Sequence, residues 1–233
     1  MPDHDPSDPR PDEDDPGVGI DFGRRLRPIL ALGGLFSGVA LLLYLLAGVS
    51  LNLALLVTSL VLVGALVVVL RLSTAAGRRW VLLTAFGGLA SGLVATIAYD
   101  VAKTALSQLD PSPYDPFHAI AVFGELILGS QADATPIVVA GAAFHLLNGS
   151  SFGVAYAFLF ARDGRITVRR ALATGITWGL FLETFQLTLY PGWLDIRFYQ
   201  EFVTISALGH VVYGATLGLL ARIVLQRLLA ERD

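Results

Sequence analysis

Residues 80–106 read WVLLTAFGGLASGLVATIAYDVAKTAL, a stretch that carries no charge before Asp100 and Lys103. A helix needs about 20 apolar residues to cross the hydrocarbon core of a bilayer, so this segment is long enough to span one. Within it Gly88, Gly92, Thr96 and Asp100 recur every fourth residue. That spacing puts them on one helix face, as a stripe of small residues ending in an ionisable group. Small residues along a membrane helix let a neighbouring backbone approach closely.

Three further apolar segments repeat the arrangement: Gly153, Gly149 and His145; Gly175, Gly179 and Glu183; Gly218, Gly214 and His210. Ionisable side chains inside a membrane are costly to bury and mark functional sites. Four stripes of this kind describe a helical membrane bundle with a polar cluster where the stripes end.

Composition agrees. Of 233 residues, 55% are apolar, and the charges gather in tails and connectors. The pattern predicts an all-α, polytopic transmembrane bundle of about six spans, at 28–48, 51–70, 80–106, 134–161, 168–190 and 202–226. Residues 1–23 are rich in Pro, Asp and Glu and read as a disordered acidic tail. Residues 24–71 read as an N-terminal hairpin and 72–233 as a four-span core. There is no cysteine, which excludes disulfides, thiolate catalysis, iron–sulfur clusters and thiolate zinc sites. The lipid bilayer is the expected surrounding, with a homo-oligomer or a membrane complex as the expected assembly and no nucleic-acid partner.

Positive charge sorts the connectors. With six spans, Arg24, Arg25, Arg27, Arg71, Arg78, Arg79, Arg162, Arg165, Arg169, Arg170, Arg222, Arg227 and Arg232 fall on one side. Lys103 and Arg197 fall on the other, with Asp110, Asp115, Asp133, Asp195 and Glu201. Positive residues stay inside, so both termini are expected in the cytoplasm and the protein in the cell membrane. Residues 116–129 form an apolar stretch too short to cross, since about thirteen residues rise only about 20 Å. Asp115-Pro116 suits a helix start, so a re-entrant or interfacial helix is expected on the outer side. Tyr190, Trp193, Phe198 and Tyr199 suit an aromatic belt there.

Counting up from the inner arginines places the polar groups in depth. Glu183 lies about 20 Å above Arg170, His210 about 18 Å above Arg222 and His145 about 25 Å above Arg162. Asp100, about 31 Å above Arg79, lies nearer the outer water with Lys103 one turn on. Asn148, Gln186 and Tyr213 sit one turn from His145, Glu183 and His210. The set describes an outward-facing polar pocket, with His118 and Glu125 of the short helix as its lid.

Histidine changes charge near neutrality, and burial favours the neutral form of a carboxylate. The leading expectation is therefore a non-enzymatic pocket that binds or relays a proton or small cation through His145, Glu183 and His210. The alternatives are a metal held by those three residues, a haem between the histidines, a Ser151–His210 dyad with His145 and Asn148 as oxyanion donors, and a structural subunit of a membrane complex. No local motif demands a cofactor.

The segments GGLASGLVATIAYDVAK, FHLLNGSSFGVAYAFLFA, ATGITWGLFLETFQLTLYPG and YQEFVTISALGHVVYGATLGLLAR resemble the successive spans of the YagU-like family of bacterial inner-membrane proteins. The resemblance covers roughly 80–226. It implies the four-span core and sets His145, His210 and Glu201 at corresponding positions, and it names no reaction.

Overall fold

The computed structural model describes residues 26–109, 115–161, 166–193 and 200–230. The expected acidic tail and the residues Phe198 and Tyr199 of the aromatic belt lie outside them, as do the side chains of Tyr190, Trp193 and Glu201.

Every described element is helical: α1 (Arg27–Gly33), α2 (Phe36–Ala47), α3 (Leu51–Leu72), α4 (Ala75–Leu109), α5 (His118–Leu128), α6 (Ala134–Tyr156, continued by a π turn at Ala157–Ala161), α7 (Val168–Trp193) and α8 (Gln200–Ala230). Four of them, α3, α4, α6 with its π turn, and α8, are long and apolar enough to cross a membrane. The bent pair α1–α2 makes a fifth if it is one span. The sequence reading counts six. The helix outside the set is α7, whose apolar content is diluted by Thr174, Thr177, Glu183, Thr184, Gln186 and Thr188.

The expected span 28–48 is not straight. It breaks by 58° between α1 and α2, at the pair Gly33-Gly34. Here the chain runs against α6: a Cβ added to Gly34 would lie 2.6 Å from the backbone nitrogen of Ala155. Beyond the break, Ser37 and Ser151 share a hydrogen bond of 2.5 Å. Sharp kinks have local causes, and tandem glycines against a neighbouring backbone are one.

The bundle is built on two seams. In the first, α4 meets α6: a Cβ on Gly92 would lie 2.6 Å from the Gly149 carbonyl oxygen, and one on Gly88 would lie 2.7 Å from Val154 Cα. In the second, α7 meets α8: a Cβ on Gly175 would lie 3.0 Å from Gly218 Cα, and one on Gly214 would lie 2.9 Å from Ile176 Cα. Helix α4 also packs along α8, which joins the two seams. Its buried face carries Trp80, Val81, Thr84, Gly88, Gly92, Thr96, Tyr99 and Lys103, one or two residues in every turn.

Helix α5 lies on α6 through a third close approach, where a Cβ on Gly124 would lie 2.6 Å from the Ile137 carbonyl carbon. Helix α3 pairs with α2 and touches little else. Only Leu51, Ala54 and Val69 of its residues are buried.

Candidate functional site

The stripes end where α4, α6, α7 and α8 come together, and each supplies one member of two histidine–carboxylate pairs. In the first, His145 Nε2 is 2.9 Å from Asp100 Oδ1. In the second, His210 Nδ1 is 2.8 Å from Glu183 Oε2 and 3.0 Å from the Ser206 carbonyl oxygen. A carbonyl only accepts, so Nδ1 of His210 carries the proton it donates. The Ser206 hydroxyl donates to the same Glu183 oxygen at 2.9 Å and accepts from Gln186 Nε2 at 3.4 Å.

The pairs differ in access. The side chains of His145 and Asp100 are 22% and 28% exposed, against 11% for His210 and 3% for Glu183. Tyr99 stands between them. Its ring centroid is 4.9 Å from that of His210, edge-on, and 6.0 Å from that of His145. The Lys103 ammonium sits 5.2 Å from the Tyr99 centroid and 5.8 Å from that of Phe117. A cation at that range is attracted to the negative ring face.

The more exposed pair opens on a cavity of about 230 Å³. Its polar wall is Thr96, Tyr99, Asp100, Lys103, His145, Asn148, Gln186, His210 and Tyr213, and the rest is almost wholly apolar, with leucines and phenylalanines of α2 and α7 prominent. The Asn148 side chain is buried there, and its Oδ1 has no partner among the described residues.

The structure thus brings together Asp100, His145, Asn148, Glu183, Gln186 and His210, with three departures from the sequence reading. Tyr213 lines the cavity, yet its hydroxyl donates to the Gly149 carbonyl at 2.9 Å, tying α8 to α6 instead of orienting His210. The short helix and the two residues before it line the cavity with Pro116, Phe117, Ala119, Ile120 and Phe123, while His118 and Glu125, the expected lid residues, are exposed. The lining from this segment is therefore apolar. His145, Glu183 and His210 fall into separate pairs, and no group of three ligands able to hold a metal occurs among the described residues.

The Ser151–His210 dyad is not formed either. The Ser151 hydroxyl shares a hydrogen bond with Ser37 and donates to the Asn148 carbonyl at 2.9 Å, while His210 is held by Glu183 and Ser206. A serine-reactive fluorophosphonate is expected to leave Ser151 unlabelled. Stoichiometric labelling, found by mass spectrometry and lost in Ser151→Ala, would restore the nucleophile.

Two residues of the site were not singled out in the sequence. Tyr99 follows Thr96 by three and so continues the α4 stripe, and Ser206 precedes His210 by four on α8.

No protein-family model matches this chain, and the comparisons with curated proteins and with solved structures give no match.

Proposed function

We propose that the protein is a six-span protein of the cell membrane, with both termini cytoplasmic, whose outer-half pocket binds and exchanges protons. In this reading α1–α2 is one broken span, α7 is the sixth, and α5 is a re-entrant or interfacial helix on the outer side. The arginine asymmetry of the connectors supports the orientation. Resemblance to the YagU-like segments is compatible with the architecture and adds no chemistry.

The observation that carries the reading is the pair of histidine–carboxylate contacts on either side of Tyr99, one partly open and one buried. Each histidine faces a carboxylate, so a pair that takes up one proton passes from a single negative charge to a neutral pair, and giving the proton up leaves the carboxylate charged beside a neutral imidazole that can still hydrogen-bond it. A proton fits this arrangement better than a small cation, because both carboxylates already have a histidine partner. Toward the opposite side the bundle closes on its glycine seams, which favours exchange with one side over conduction across.

The test is nuclear magnetic resonance of ring-labelled histidines, with the full chain in lipid nanodiscs, titrated from about pH 8 to about pH 5. Both His145 and His210 are expected to titrate. Glu183→Gln should alter the His210 curve and spare that of His145, and Asp100→Asn should do the reverse. Two rings that hold one protonation state throughout would overturn the proposal.

A further inference from the structure

We propose that the cavity is a lipid site, taking the uncharged, hydroxyl-bearing head and the first part of the chain of one single-chain lipid. This inference does not depend on proton exchange at the histidine pairs. Its first support is the wall. Leu42 and Leu45 of α2 and Phe181 and Phe185 of α7 line the cavity, and the two helices scarcely touch each other. Phe181 and Phe185 are 47% and 45% exposed, so the apolar lining runs out to the surface that hydrocarbon would cover.

The second support is the floor. Asn148 is buried and lines the cavity, and its Oδ1 has no partner among the described residues. A buried acceptor without a donor is costly, and a hydroxyl on the ligand would supply the donor. Charge then narrows the head group. Asp100 and Lys103 line the same space, so a phosphate would meet the like charge of Asp100 as well as the opposite charge of Lys103, and a quaternary ammonium would meet Lys103 as well as Asp100. An uncharged alcohol or glycerol head avoids both.

Size fits this division. A cavity of about 230 Å³ is smaller than the roughly 300–1,000 Å³ of a site enclosing a whole drug-sized ligand. It holds the head and the adjoining methylenes, and the rest of the chain lies among the bilayer lipids.

The experiment uses the full chain in phosphatidylcholine vesicles with a photoreactive monoacylglycerol, compared with photoreactive lysophosphatidic acid. Peptides of α2 and α7 are expected to be labelled about tenfold above those of α3, whose exposed side chains report contact with bulk lipid. Leu42→Trp, which fills the apolar end, should remove the excess while the His145 titration stays as in the parent. Asn148→Ala should lower labelling by the monoacylglycerol and is the second variant should Leu42→Trp not fold. Labelling of α2 and α7 no higher than that of α3 would overturn the proposal. Labelling by lysophosphatidic acid equal to that by the monoacylglycerol would overturn the uncharged head. Intact lipid labelling in a chain whose histidines do not titrate would retain the lipid site and reject proton exchange alone.

Discussion

Replacing Gly92 by leucine is expected to cost at least about 3 kcal/mol and to prevent α4 from docking on α6. The Cβ alone would meet the Gly149 carbonyl oxygen at 2.6 Å and the Cα atoms of Ser150 and Gly153 at 3.0 Å. All three are backbone atoms, so no side chain can rotate away to make room. Gly64 on α3 is the matched control, since a Cβ there meets nothing within 4 Å. Gly64→Leu should stay within about 0.5 kcal/mol of the parent. Unfolding by denaturant, followed by circular dichroism in the same micelles, checks both. Equal stability of the Gly92 and Gly64 variants would mean that the first seam is not formed as described.

Glu183→Ala carries the second largest expected effect, a loss of about 3 kcal/mol, in the range found when one partner of a buried pair is removed. It leaves the Ser206 hydroxyl without its acceptor and His210 Nδ1–H with only the Ser206 carbonyl, in a site where Glu183 itself is 3% exposed. Asp100→Ala breaks the same kind of contact at 28% exposure, where water can replace the lost partner, and should cost under about 1 kcal/mol. The same unfolding measurement separates them. Similar losses for the two variants would argue against the difference in access between the pairs.

Much of this architecture is legible in one sequence, because the longer helices are apolar runs that end in charge or proline. The expected spans at 51–70 and 134–161 match α3 and α6 with its π turn almost to the residue. Counting turns sets Glu183 and His210 within about 2 Å of one level, and their side chains meet at 2.8 Å. What a single sequence conceals depends on partners far along the chain. Gly33-Gly34 lies unremarked inside the expected span 28–48, and the 58° break there falls where Ala155 lies against Gly34. Lys103, one turn away, is Asp100's evident neighbour in sequence, whereas His145 reaches it across a helix seam from 45 residues away. The depth count set Asp100 about 6 Å above His145, yet their side chains meet at 2.9 Å. Such a count treats the arginines as level and the helices as upright, and neither need hold for a 35-residue helix such as α4. Tyr99 escaped notice because its role is set by two rings on other helices.

The near-isolation of α3 bears on how freely this chain can drift. Its outward residues have only lipid or another chain to satisfy, so exchanges among Leu, Val, Ile and Phe along it are expected to cost little. Along α4 each turn presents a buried residue to α6 or α8, and at Gly88 and Gly92 even a methyl group is too large. Two consecutive helices of similar apparent simplicity therefore tolerate substitution under different rules, one limited by hydrophobicity and the other by shape.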